Sequence, residues 1–482
     1  MFSNDYQQLT LFEQVSTLNN LSFEQPLKFL GLLKDHFHLA AFIPDSFYKH
    51  YYSSLGTDRD YGLESMLSAF IIKNLLHIPT ISLLRIFIVF SPYLQEFCHF
   101  SSIPDESVFS RFKTDFEKDI RSLFDSMTPY ILDICSSFDD GLPPDDPSKG
   151  LSSTLIYDTS GLKPMVKENN PKTLASEIKR FKSYAKTIDN KDFNPYAAAY
   201  KNMPKFSAAN RDFKLDFVNG HFGYFYKFGM LTNGFGIPLS IHFFDDEFYR
   251  CLPADFETPE EQKYCFDNAS LLRALSEFLA SNKGQFRTFM GDSEFDSYDN
   301  FSLLKSWGFE KVFIPINQRN SSASSNMDTD IQGTPLCPLT KEPFKPDGSC
   351  KGKNRSLRLK YICPKSVRRG SNFTTACETP CRDIKSTVTT YKYPDKDFRM
   401  YPGIQRNSEE WDTSYKKRTI IERELSALKK DPSIERPRTL NTASMRSDLY
   451  FAAISKLIVV ILAHAIDKPE FMRNISAVMR AA

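Results

Sequence analysis

Apolar residues recur at helical spacing through residues 1–145, as in Leu63, Met66, Leu67, Phe70 and Ile71, with few strand signals. The run DDGLPPDDP at 139–147 is rich in turn formers and predicts a domain boundary. Beyond it the pattern shifts to short apolar runs that end in an acid, TLIYD at Asp158 and FRTFMGD at Asp292. Each predicts a buried strand whose C-terminal end presents a carboxylate, at the edge of an α/β sheet where ligands bind. Between them, β-like runs at 224–231 and 237–244 are joined by TNGFG, a hairpin signal. Helices over 259–281 and 299–307 and a strand over 311–315 complete this stretch, while Pro171, Pro195 and Pro204 mark interruptions in the segment after Asp158. From Asn317 to about 402 the sequence turns polar, Cys-containing and β-prone, opening on a loop-like QRNSSASSNMDTDIQG. A helix from Trp411 follows, ended by Arg436-Pro437-Arg438.

That helix holds the most informative spacing in the chain, Y-x2-R-x3-E-x6-K within YKKRTIIERELSALK. At about 100° per residue, Tyr415, Arg418, Glu422 and Lys429 fall within roughly a 60° arc. Ile421, Leu425 and Leu428 form a neighbouring apolar stripe, so the helix can pack on a core and aim its polar stripe into a cleft. The bland reading is a solvated charged face held by pairs such as Arg418 with Glu422. Two strand-end aspartates and a helical glutamate instead make a three-carboxylate site, which suits two hard cations such as Mg²⁺. Two such ions about 4 Å apart can activate a nucleophile and stabilise the leaving oxygen of a phosphodiester.

YDTSGL at Asp158, GDSEFDS at Asp292 and the Y-R-E-K helix, in that order, resemble the bacterial insertion-sequence DDE transposases. LGTDRDYGLESMLSAFIIKNLL and IPDESVFSRFK are similar to the helical leader domain of the same group. The resemblance implies an α/β RNase H-like catalytic core, a mixed sheet flanked by helices, with an all-helical N-terminal domain and a Cys-containing, β-prone insertion. The expected divisions are a leader at 1–145, the first part of the core at 150–316, the insertion at 317–404, the glutamate helix at 405–446 and a C-terminal helix at 447–482. By resemblance, Asp158, Asp292 and Glu422 hold Mg²⁺, with Mn²⁺ as a substitute, while Tyr415, Arg418 and Lys429 contact transposon-end DNA. The implied activity is hydrolysis at the transposon ends followed by 3′-hydroxyl strand transfer into target DNA, by a homodimer that brings two ends together. A catalytically silent DNA-binding or assembly protein derived from a transposase, and a metal-dependent nuclease without strand transfer, are the alternatives.

Charge modifies this picture. The 482 residues carry a formal +2, but residues 1–150 hold 11 basic and 20 acidic residues, unlike a basic DNA-gripping leader. Residues 163–214 hold 12 basic against 5 acidic, interleaved with Phe181, Tyr184, Tyr196, Tyr200 and Phe206; residues 351–369 hold 8 basic and no acidic. These two stretches are the candidate phosphate contacts.

Of nine cysteines, Cys98, Cys135, Cys251 and Cys265 read as packing residues. Cys337, Cys350, Cys363, Cys377 and Cys381 cluster in the insertion, with C-P at Cys337 and Cys363 and C-x3-C at Cys377, a possible zinc ribbon. The apolar run 449–466 is near the minimum for a bilayer span, but Lys456 and His464 interrupt it and a buried core helix is expected. MFSNDYQQLT has no signal-peptide pattern, so a cytoplasmic, nucleoid-associated bacterial protein is expected.

Other acids compete for the site. Glu294 and Asp296 flank Asp292 and read as supporting residues; Asp245-Asp246-Glu247 is a separate acidic cluster; Glu424 lies about 200° around the helix from Glu422. His221 and His242 read as core or surface histidines, and Ser160 lacks a paired base.

Overall fold

The computed structural model describes residues 24–53, 59–188, 192–218, 221–250, 259–282, 284–317, 329–353, 355–369, 372–378, 381, 388–430, 432–435 and 437–481. The opening MFSNDYQQLT, Cys251, most of the loop expected after Asn317, and Arg436 lie outside these, as does the side chain of His221. The chain divides into two compact units, Met1–Phe138 with Ala443–Ala482, and Asp139–Thr442.

The first unit is helical throughout its described residues. Helix Leu63–Leu75 buries Met66, Leu67, Phe70 and Ile71 as its periodicity predicts. Phe70 stacks on Phe451 of helix Thr442–Ala465 with ring centroids 4.7 Å apart. This last helix is long and apolar enough to cross a bilayer, yet 83% of its most apolar window is buried in the protein, so it serves as a core helix. Within this core Lys113 Nζ donates to Asp448 Oδ2 at 2.7 Å, both side chains 7% exposed.

The second unit is built on a six-stranded mixed sheet. Its strands are β1 (Thr154–Leu162), β2 (Lys214–Val218), β3 (His221–Asn233), β4 (Pro238–Phe243), β5 (Thr288–Met290) and β6 (Lys311–Phe313). The order is β2-β3-β1-β5-β6, with β4 also paired to β3. Pairings among β1 to β4 are antiparallel, whereas β1, β5 and β6 run parallel. The β3–β4 hairpin turns where expected: the Asn233 carboxamide oxygen accepts from the backbone N–H groups of Phe235 and Ile237, and Gly236 takes φ +80.

Helices α1 (Pro171–Ala185), α2 (Pro195–Asn202), α3 (Pro259–Ser281), α4 (Tyr298–Ser306), α5 (Glu409–Tyr415) and α6 (Thr419–Lys429) accompany the sheet. Pro171 and Pro195 start helices rather than interrupt them. Each occupies the first turn, where its missing N–H costs nothing, and Asn170 and Asn194 cap the ends. The turn-rich run expected at 139–147 begins later, because helix Glu117–Gly141 continues through Asp139 and Asp140. The Asp139 carboxylate then accepts from Gly150 N–H at 2.8 Å and from the backbone and hydroxyl of Ser152 at 2.8 and 2.5 Å, fixing the entry into β1.

The insertion contains two small sheets: β11-β8-β7, from Thr389–Lys392, Arg358–Ile362 and Lys345–Cys350, and the hairpin of β9 (Ser366–Arg369) with β10 (Asn372–Thr375). The chain returns to the core alongside β6, where Val312 N–H donates to Pro402 C=O at 3.0 Å. Gly403 follows at φ +77, and any Cβ there would strike the Glu310 carbonyl.

A second close approach lies inside the sheet. Gly229 of β3 faces Thr159 of β1, and the fully buried Tyr157 ring lies over it; an added Cβ would fall on the Tyr157 hydroxyl, 2.5 and 2.8 Å from two ring carbons. Gly229→Ala is therefore expected to destabilise the protein by about 1–3 kcal/mol, as overpacking does. Denaturant unfolding measures it, and Tyr157→Phe in the same chain should recover part of the loss by removing the nearest atom.

Candidate active site

Parallel pairing ends with Ile156 opposite Met290, and two residues past this last rung Asp158 and Asp292 lie close enough for the charge of one to act on the other. Asp158 differs from expectation in being within its strand. β1 runs on to Leu162 because residues 159–162 keep pairing with β3 after the pairing with β5 has ended. Asp292 stands just beyond β5, after Gly291, and caps a short 3-10 turn, Ser293–Phe295, its Oδ1 accepting from Glu294 N–H at 2.9 Å.

The facing element is α6. Ile421, Leu425 and Leu428 are buried as expected, together with Glu424, which is 2% exposed and points away from the Glu422 side. Tyr415 to Lys429 is not one continuous helix. A 3-10 turn, Lys416–Arg418, separates α5 from α6. Trp411 anchors α5 by packing on Phe313 of β6, with centroids 5.1 Å apart, and Tyr415 stacks on Trp411 at 6.1 Å.

Arg418 links strand and helix. Its guanidinium approaches Asp158 (Nη1 to Oδ2, 3.9 Å) and donates to Glu422 (Nη2 to Oε1, 2.6 Å), and it lies 5.7 Å from the Tyr415 ring centroid. Burial, and next the charge of Asp292, push the Asp158 carboxyl up to about 7, against the pull of a hydrogen bond from Thr159 N–H and of Arg418. Burial holds Lys429 below the usual lysine range while Asp158 pulls the other way. Tyr415 is raised by burial, with Arg418 opposing and Asp292 adding to the rise.

All six residues singled out in the sequence therefore act on one another, but they do not form a closed metal cage. Glu422 is 48% exposed and bonded to Arg418. Among the described residues no three His, Cys, Asp or Glu side chains are gathered tightly enough to hold an ion as they stand. What does fit a divalent cation is the Asp158–Asp292 pair, two oxygen donors whose mutual repulsion in a desolvated place a metal would relieve.

Behind β1 lies a charged cluster with no local sequence signal. Lys227 of β3, 2% exposed, bridges Asp216 at 3.1 Å and Asp267 at 2.9 Å, and Asp267 also accepts from the Thr159 hydroxyl at 3.2 Å. Burial disfavours the Lys227 charge, but the two carboxylates outweigh it and hold its pKa above the usual range. Asp296, fully buried, takes a two-pronged bond from Arg399 at 2.8 and 2.7 Å and supports the turn after Asp292. His242 is buried against Ser240 and Glu277, Asp245 pairs with Arg273, and Ser160 is buried in β1.

The basic stretches differ from each other. Along α1 and α2, Tyr184 and Tyr196 are half exposed, and Lys182 lies over the Tyr196 ring at 4.7 Å, Arg180 over Phe181 at 4.8 Å. In 351–369, Lys360 pairs with Asp347, the exposed Lys365 with Glu342, and Arg358 stacks on Tyr391, while Lys351, Lys353 and Arg355 are also exposed.

Residues 18–115 match the family described as Transposase domain (DUF772). No curated protein matches the chain. A solved structure, a cryo-EM piggyBac transposase synaptic complex with hairpin DNA, aligns over 94% of this chain and 81% of its own at 11% identity and a TM-score of 0.37.

The raised carboxyl has a measurable consequence. Because Asp158 binds its proton more tightly folded than unfolded, the folded state carries no penalty below about pH 4, an increasing one toward pH 7, and the full penalty above. Asp158→Asn should therefore raise the melting temperature in chelator-treated protein, more at pH 8.5 than at pH 5, by roughly 2–4 °C per kcal/mol relieved. An equal or inverted effect at the two pH values, in thermal scans, would remove the desolvated Asp158–Asp292 pair as its cause.

Proposed function

We propose that this chain is the DNA transposase of a bacterial insertion sequence, cutting phosphodiesters at transposon ends and joining the freed 3′-hydroxyl to target DNA. The observation that carries this is the pair Asp158, within β1, and Asp292, just past the parallel β5, approached by Arg418 from the turn before α6 and by Lys429 at the end of α6. The sheet supports an RNase H-like reading of the core: in the order β4-β3-β1-β5-β6 an antiparallel half adjoins a parallel half, and the acids lie where the parallel half ends. The transposase domain matched at 18–115 supports the same class of activity.

Asp158 and Asp292 are the residues that would hold Mg²⁺, or Mn²⁺ in its place, with Glu422 joining them once it leaves Arg418. Bound there, the divalent ions supply a nucleophilic water and a counter-charge for the leaving 3′ oxygen. The protein's own part is electrostatic and positional. Arg418 carries a fork suited to a phosphate, and its present partners are carboxylates that the cations would neutralise. A phosphate that draws Arg418 away releases Glu422, so DNA binding and completion of the site are coupled. Lys429 adds a partly desolvated positive charge beside Asp158, and Tyr415, supported by Trp411, offers a ring and a hydroxyl to the DNA end. The aromatic and basic faces of α1 and α2 offer a further backbone-binding surface. Joining two ends implies a homodimer, and the compartment is the cytoplasm, at the nucleoid.

The test is cleavage and strand transfer with Mg²⁺ on DNA carrying the ends that flank the gene. Asp158→Ala, Asp292→Ala and Glu422→Gln should each lower both reactions roughly 100-fold or more. Glu422→Gln frees Arg418, so its DNA affinity should stay within about tenfold of the parent, or tighten. Cutting without joining would identify a nuclease; DNA binding with neither, a catalytically silent relative; parallel loss of binding and cutting in Glu422→Gln would remove Glu422 from the catalytic set.

A further inference from the structure

Helix Ile81–Phe90 of the first unit reads ISLLRIFIVF, with Ser82 and Arg85 as its only polar residues. A helix apolar on all sides belongs inside a core. This one fully buries only Leu84 and Ile88. At about 100° per residue those two lie within roughly 40° of each other, while Leu83, Ile86, Phe87, Val89 and Phe90 spread over the far side. Phe90 is 81% exposed, and Ile86, Phe87 and Val89 lie between 43% and 47%. Tyr93, at the start of the following helix Pro92–Phe97, continues the face at 52%.

The face is preformed. The Thr80 hydroxyl accepts from Leu83 N–H at 3.1 Å and caps the first helix, and the Ser91 hydroxyl accepts from Leu94 N–H at 3.3 Å and caps the second. The Gln95 carboxamide donates to the last-turn carbonyls of Ile88 and Val89 at 2.9 and 3.2 Å. Phe90 therefore projects from a corner that hydrogen bonds hold between two helices. Tyr93 also borders a groove of about 400 Å³, whose apolar wall includes Leu30, Leu33, Phe37, Ile71 and Phe97.

We propose that two copies of this chain associate through this face, each burying the exposed side of helix Ile81–Phe90 and Tyr93 against the other. The exposed parts of Ile86, Phe87, Val89, Phe90 and Tyr93 amount to roughly 500 Å², at the upper end of what a monomer leaves in one patch. A stable interface takes about 800 Å² from each partner, with an apolar core of this kind inside a polar rim. Charge disfavours nucleic acid and anionic lipid as the occupant, since residues 1–150 hold 20 acidic against 11 basic residues and the helix itself carries only Arg85. Ten residues of helix span about 15 Å, half the hydrocarbon thickness of a bilayer, and this helix lacks the basic side by which one lies on a membrane. An uncharged face suits its own copy, because a two-fold axis then brings no like charges together. A projecting ring beside a groove gives the one patch both halves of a self-complementary contact.

This surface would serve the homodimer implied by joining two DNA ends. It does not rest on that reading, because the association needs neither DNA nor metal.

The experiment is sedimentation velocity of the full-length protein, free of DNA, over about 0.5–50 µM, where the parent should dimerise. Phe90→Asp should weaken the dimer roughly 30-fold or more, and Phe87→Ser should weaken it in the same direction. Both should keep parent circular dichroism, because neither position is buried in the monomer. Met165→Asp, at an exposed apolar residue of the second unit, should leave the dimer unchanged. A monomeric parent overturns the proposal, as does a parent dimer that survives both substitutions or is lost equally in Met165→Asp. A monomer that binds neutral phosphatidylcholine vesicles until Phe90→Asp releases it would assign the face to lipid and overturn the proposal likewise. Cleavage and strand transfer are read separately, so a monomeric yet active parent would remove this surface and leave the transposase reading standing.

Discussion

Two carboxylates held side by side in a partly desolvated place are the constraint around which the second unit is organised. Asp158 and Asp292 repel, and burial removes the solvent that would screen them, so nothing in their own chemistry keeps them together. The backbone does it. Parallel hydrogen bonding of β1 with β5 fixes their spacing, and the Asp292 cap on the following 3-10 turn fixes the second carboxylate's direction.

Other features hold that arrangement against its electrostatic cost. On the far side of β1, Tyr157 wedges between Gly229 and Phe295 and bonds Ser270 of α3 at 2.8 Å, while Thr159 bonds Asp267. Asp267 in turn is neutralised by Lys227, a lysine almost wholly buried and tolerated only because Asp216 completes its pairing. A strand that presents an acid forward is thus locked from behind by two side chains, each bonded to α3. Asp296 and Arg399 do the same for the turn after Asp292, tying it to the segment that leaves the insertion.

Much of this frame is legible along the chain. The span of α3, the β3–β4 hairpin and the helical first unit follow from apolar period and turn residues, because those signals are local. Asp158 and Asp292 are legible as acids closing apolar runs. What sequence does not show is long-range pairing: Lys227 finds Asp267 40 residues away, and Asp296 finds Arg399 at a separation of 103. The continuation of β1 through Thr-Ser-Gly-Leu is equally silent, since those residues are strand only because β3 lies beside them. Asn170-Pro171 and Asn194-Pro195 did carry a local start signal, cap followed by first-turn proline, that a reading of proline as a breaker misses.

The 3-10 turn at Lys416–Arg418 shows where an angular argument from spacing loses force. Three residues per turn means about 120° per residue instead of 100°, so three such residues advance the phase by roughly 60°. Tyr415 is therefore turned by that angle relative to α6, which sets it in line with Arg418 one tight turn on, and its ring also stacks on Trp411. Arg418, Glu422 and Lys429 escape most of this shift because Arg418 is the last residue of the turn and the other two lie wholly in α6. The polar stripe survives where it faces Asp158, with the phenol ring beside Arg418 at its start and Trp411 behind it. An arginine at the junction suits both sides: its planar fork reaches one carboxylate on the strand and another one turn along the helix, which a single ammonium could not orient together.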